Sequence, residues 1–125
     1  MLPKKNRLVK DKDIKKALFS GMRFFYGDLQ VKLSKSPLPK FRILVSVSKK
    51  IHKKSVYRHR VSRRILAIIR ESYNANSLPN NIDCFINVTN KKILDSQIYL
   101  DYKDLSVLIN QKSQKLLEYP LYAKN

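Results

Sequence analysis

The sequence predicts an α+β fold, a two-layer α/β sandwich, and three observations lead there. Residues 29–33, 41–47 and 82–88 each alternate apolar with polar side chains, the period of a strand with one buried face. Residues 55–73 repeat their apolar positions at about 100° per residue, the period of a helix. Helix and strand patterns also interleave along a chain of 125 residues, one domain's worth, which favours helices layered on a sheet over a bundle or barrel.

The elements follow in order. Lys4, Lys5, Arg7 and Lys10 make a basic N-terminal tail that leads to Asp11, a cap for a short helix with Ile14, Ala17 and Leu18 on its apolar side and Gly21 as its stop. Phe24, Phe25 and Tyr26 precede a turn at Gly27-Asp28. Leu29, Val31 and Leu33 then alternate with Gln30, Lys32 and Ser34, and Pro37 and Pro39 end that strand. Phe41, Ile43, Val45 and Val47 alternate with Arg42, Leu44, Ser46 and Ser48, and these two strands are expected to pair as a hairpin.

Ser55 is placed to cap the long helix, whose core arc is Val61, Ile65, Leu66, Ile68 and Ile69. His59, Arg60, Arg63, Arg64 and Arg70 fall on its opposite side. Beyond a loop at Pro79 and Asn80-Asn81, Ile82, Cys84, Ile86 and Val88 alternate with Asp83, Phe85 and Asn87. A last helix starts near Asp101, with Tyr102, Leu105, Leu108, Ile109, Leu116 and Leu117 in register and Pro120 as its limit. The order is α-β-β-(β)-α-β-α. If the strands are neighbours, Gln30, Lys32, Arg42, Ser46, Ser48, Phe85 and Asn87 share the sheet's second face, which suits a polar, phosphate-rich ligand.

Charge narrows the function. Against 27 Lys and Arg stand 9 Asp and Glu, a formal net charge of +18, which argues against most small enzymes and for a polyanionic partner such as nucleic acid. The densest basic stretch, from Lys49 to Arg64, has no acidic residue to pair with it before Glu71, so its field is of one sign. Arg forks two hydrogen bonds onto a phosphate and Lys supplies a mobile point charge. Phe24, Phe25, Tyr26 and Phe85 are candidates for stacking on bases, one or two of them being expected at the surface and the rest in the core, which lacks Trp.

A single cysteine, Cys84, permits no internal disulfide, and its strand position reads as buried; a reducing, cytoplasmic compartment fits. Neither a signal peptide nor a run able to span a bilayer is expected. The carboxylates are scattered, and H-E-x-x-H, paired cysteines, a Walker loop and G-x-S-x-G are missing, so neither a metal site nor a catalytic site is expected in the chain itself. His52 and His59 stand amid lysines and arginines, where phosphate contact is a blander role than acid-base cleavage of RNA.

Ser46-Val47-Ser48-Lys49-Lys50, followed by Val56-Tyr57-Arg58-His59-Arg60 and Arg63-Arg64, resembles the protein component of bacterial ribonuclease P. In that family a strand ending S-V-S-K-K is followed by a helix opening R-N-R. The family's Lys-rich start, Arg-Leu and short helix are matched by Lys4, Lys5, Asn6, Arg7, Leu8 and Asp13-Ile14, so the resemblance runs over about residues 2–88. Departures are His59 for the Asn of R-N-R, Ser62 for a Lys, His52 and Leu44 for glycines, Ile14 and Leu18 for aromatics of the first helix, and Lys32 for an aromatic on the first strand.

The resemblance implies a left-handed βαβ crossover, against the usual right-handed rule, and a single RNA-binding domain over residues 1–125. It implies that Lys49, Lys50, Lys53, Lys54, Arg58, His59, Arg60, Arg63 and Arg64 contact a catalytic RNA. The single-stranded 5′ leader of precursor tRNA would then lie against Ile14, Leu18, Lys32, Arg42, Ser46 and Phe85. Catalysis would belong to the RNA, with Mg²⁺ held mainly there, and the chain would need neither a membrane nor a small-molecule cofactor. Three other classes compete: a structural RNA-binding protein of ribosomal type, a protein-only nuclease using His52 and His59, and, least favoured, a membrane-surface protein.

Overall fold

A computed structural model of the chain describes residues 6–8, 14–15, 21–36, 38–74, 78–95 and 97–118. Four strands, β1 (Met22–Tyr26), β2 (Leu29–Lys35), β3 (Arg42–Ser46) and β4 (Ile82–Val88), form one sheet. The helices are α1 (Ser55–Asn74), the short α2 (Ile98–Asp101) and α3 (Leu105–Glu118), with a 3₁₀ turn at Lys91–Asp95. Ile14 and Lys15 are helical, as expected of the first helix; Leu18 lies outside the described residues.

The sheet order is β1-β2-β4-β3. β1 and β2 are the true hairpin, joined by Gly27-Asp28 with Tyr26 opposite Leu29. Gly27 opens that two-residue loop at φ +56°, a conformation glycine adopts without steric cost. The expected pairing of residues 29–33 with 41–47 is therefore corrected. β4 enters between those strands, antiparallel to β2 and parallel to β3, so α1 is the crossover that parallel neighbours require.

Leu29, Val31 and Leu33 of β2, Ile43 of β3 and Cys84, Ile86 and Val88 of β4 bury one face of the sheet. Against it lie Val61, Ile65, Ile68 and Ile69 of α1 and Leu105, Ile109 and Leu116 of α3. Burial pushes the Cys84 thiol far above its ordinary range, with the Asp83 carboxylate adding to the shift. Ser55, expected as a cap, is the first helical residue instead. The Lys54 carbonyl accepts from the amides of Tyr57 and Arg58 and so takes the cap position. Asp104 does the same for α3, its carbonyl accepting from the Leu108 amide.

Two contacts tie the periphery down. The Tyr102 hydroxyl accepts from the Asp28 amide at 3.0 Å, and the Asp28 carbonyl accepts from the Thr89 amide and hydroxyl, which locks the hairpin turn to the region after β4. Asn6 donates from Nδ2 to the Phe41 carbonyl at 2.7 Å, and the Leu8 amide donates to the Ile43 carbonyl, where Arg7 bridges Ile43 in parallel. Asn6 and Leu8 are buried. The stretch expected as a basic tail is thus, at residues 6–8, part of the body beside β3.

Candidate nucleic-acid interface

Two surfaces carry the chemistry. The first is the basic ledge running from the end of β3 into α1. Lys49 and Lys50 are exposed on a turn closed by the Ile51 amide donating to the Ser48 carbonyl, and Lys53 and Lys54 are exposed just before the helix. On α1, burial of Val61, Ile65, Ile68 and Ile69 turns the other side outward, so His59, Arg60, Arg63 and Arg64 are exposed. Among the described residues none of these cations is in an ion pair. Among the described residues, the hydrogen bond that holds one of the arginines is internal to the helix, from Arg63 Nε to the His59 carbonyl.

Arg58 differs from its neighbours. Its helical phase puts it beside the apolar arc, where it is half-buried, and its Nε is buried without a hydrogen-bond partner. His52 is equally particular. Its Nδ1 accepts from the Lys54 amide at 3.1 Å. Its ring lies 4.4 Å from that of Tyr57, centroid to centroid, and the Arg60 guanidinium sits 5.3 Å from the Tyr57 centroid. His52 thereby braces the entry to α1, and it does not pair with the exposed His59 through any described bond.

The second surface is the face of the sheet turned away from α1 and α3. Strand register aligns Arg23, Lys32, Phe85 and Leu44 in one row across all four strands, and Phe25, Gln30, Asn87 and Ser46 in the next. Of the expected leader residues, Lys32, Ser46 and Phe85 are brought together here, each half-buried. Arg23 is an addition to the expected residues, and Phe25, one of the four expected stacking candidates, is the one that β1 turns fully outward. The signal for β1 was present in the alternation of Met22, Phe24 and Tyr26 with Arg23 and Phe25 before a Gly-Asp turn. Phe25 is 64% exposed, whereas Phe24 and Tyr26 pack against the core.

Arg42 requires a correction. It lies on the same face but offers no open cation: it is 6% exposed, and its Nε and Nη2 donate to Oδ1 and Oδ2 of Asp83, both at 2.7 Å. Asp83 is its register partner on β4, so the parallel pairing itself brings the two together. Ile14 is half-buried and helical, and no described contact joins it to the other leader residues.

No three His, Cys, Asp or Glu side chains gather among the described residues. No described helix is long and apolar enough to cross a membrane.

The ribonuclease P family model matches residues 2–112, which takes in both surfaces. The chain belongs to the ribonuclease P protein family. No curated protein sequence matches it. Its fold is that of solved ribonuclease P proteins. A Staphylococcus aureus RNase P protein mutant with defective mRNA degradation activity is 19% identical with a TM-score of 0.66, over 92% of this chain and 87% of that one. The Thermotoga maritima RNase P protein is 20% identical with a TM-score of 0.59, over 90% of this chain and 94% of that one. A further S. aureus RNase P protein is 19% identical with a TM-score of 0.58, over 100% and 97%.

Proposed function

We propose that this chain is the protein subunit of a ribonuclease P ribonucleoprotein, acting in the cytoplasm in removal of the 5′ leader from precursor tRNA. One observation carries the reading beyond family membership: Arg60, Arg63 and Arg64 stand in an exposed row without ion-pair partners among the described residues. A chain of net charge +18 that leaves such a row unneutralised is built for a polyanion of regular charge spacing.

In this reading the basic ledge, Lys49, Lys50, Lys53, Lys54, Arg58, His59, Arg60, Arg63 and Arg64, binds the catalytic RNA. The open sheet face receives the leader: Phe25 and Phe85 offer ring faces to unstacked bases, Lys32 and Arg23 offer charge to the phosphates between them, and Ser46, Gln30 and Asn87 offer hydrogen bonds. Ile14 and Leu18 remain candidates for the leader, and Arg42 supports the sheet face through its ion pair with Asp83. Bond cleavage falls to the RNA partner together with the Mg²⁺ that it holds. The chain's part is to orient the leader and lower the repulsion between the two RNAs.

The test is cleavage of a precursor tRNA at low Mg²⁺ by protein alone, by a bacterial ribonuclease P RNA alone, and by both. Cleavage at the mature 5′ end only when both are present is the expected result. No gain over RNA alone would overturn it and favour a structural RNA-binding protein. Cleavage by protein alone that is lost in the doubly substituted His52→Gln, His59→Gln chain would favour a protein-only nuclease.

A further inference from the structure

Two cavities flank the first turns of α1, and Arg60 and Arg64 line both. One, of about 380 Å³, is otherwise lined by Arg63 and Val56, so among the described residues three guanidiniums face it and no carboxylate does. The other, of about 320 Å³, is of a different kind. Ile93, Ile98 and Val61, all buried, reach it from the 3₁₀ turn, α2 and α1, half-buried Leu94 joins them, and the rings of His52 and Tyr57 add an aromatic wall. Its size lies at the lower end of ordinary small-ligand pockets, about 300–1,000 Å³.

A purely phosphate-binding ledge needs only the first cavity. An apolar and aromatic compartment sharing two arginines with a cationic one suits a ligand with a flat apolar ring system at one end and a phosphate at the other. We propose that the paired cavities form a binding site for one unstacked nucleotide, its base against the His52–Tyr57 wall and its phosphate on Arg60, Arg63 and Arg64. The site takes that chemistry from a free nucleoside monophosphate or from a single residue turned out of an RNA strand. The proposal rests on the reading that α1 meets RNA, and adds that α1 recognises a base as well as the backbone.

The experiment is a titration of ¹⁵N-labelled full-length protein, at fixed ionic strength, with AMP, ribose 5-phosphate, and adenosine pentanucleotides with and without an abasic central residue. AMP is expected to bind at least tenfold more tightly than ribose 5-phosphate, shifting the amides of Tyr57, Ile93, Leu94 and Ile98. Tyr57→Ala should erase that advantage while leaving ribose 5-phosphate binding intact, and Arg64→Ala should weaken both ligands; the amide spectrum reports whether each variant is folded. A pentanucleotide that loses affinity on becoming abasic identifies a strand residue as the occupant, and one that leaves those amides unmoved while AMP shifts them identifies the free nucleotide. Equal affinity for AMP and ribose 5-phosphate, or AMP shifts confined to other residues, overturns the proposal. Because no catalytic RNA is present, that failure is separate from a failure of RNA-dependent precursor cleavage.

Discussion

Arg42 and Asp83 meet across the parallel strands β3 and β4 in a two-pronged ion pair that is almost wholly shielded from water. Removing one member leaves a buried charge without its counterpart, which typically costs about 3–5 kcal/mol. Asp83→Ala is therefore expected to lower the urea midpoint sharply. The double replacement Arg42→Met, Asp83→Leu should recover much of the loss, since an apolar pair strands no charge. Equal destabilisation by the single and double variants would show that a stranded charge is not the cause of the loss.

Gly21 and Gly27 both hold positive φ, +89° and +56°, but their surroundings differ. A Cβ on Gly21 would stand 2.0 Å from the Leu33 carbonyl oxygen, which is backbone, whereas on Gly27 it would stand 2.8 Å from the Tyr102 hydroxyl. Each Gly→Ala change carries the left-handed penalty of about 1–3 kcal/mol. Thermal unfolding should show Gly21→Ala to be the more damaging, and Tyr102→Phe should relieve part of the cost of Gly27→Ala alone.

Binding of the chain to a ribonuclease P RNA should weaken steeply with salt, by about 0.7–0.9 log units of affinity per tenfold salt for each phosphate neutralised. Arg63→Ala, at an exposed position outside the core, should flatten that slope by about one such step without changing the unfolding midpoint. Filter binding at several salt concentrations measures it. A slope the same as that of the unaltered chain would remove Arg63 from the contact.

Phe25→Ala and Phe85→Ala should each weaken binding of a precursor with a leader by about 1–3 kcal/mol, and leave binding of leaderless tRNA unchanged. Phe24→Ala should act oppositely, because Phe24 packs on the core: stability falls and the difference between the two RNAs is preserved. Parallel affinity measurements on the two RNAs distinguish the outcomes.

Much of this architecture is legible in the chain. The period-two runs locate β2, β3 and β4, and the helical arc locates α1 to within a residue at its C-terminal end, because burial of one face imposes those periods. Sheet order is not legible that way, since periodicity says which face of a strand is buried and nothing about which strand lies beside it. The same gap explains Arg42. Its partner is 41 residues away, and only the pairing of β3 with β4 brings them level. β1 escaped notice because aromatic side chains occupy both of its faces, Phe24 inward and Phe25 outward, which blurs the alternation. The basic ledge is plain from charge alone, but the compartment beneath it needs Ile93, Leu94 and Ile98, whose placement no sequence pattern fixes.

The strand that holds the sheet together is also the last to be made. β2 and β3 are each bonded along one edge to β4, so during synthesis both edges stay bare until residues 82–88 emerge, and only the β1–β2 hairpin can close earlier. Ribosomes add about 5–20 residues per second, which leaves β3 waiting about 2–8 s for its neighbour. In that interval the excess of lysine and arginine has a use of its own: nascent copies carrying a surplus of one charge repel each other, and two unpaired strands are kept from finding the wrong partner.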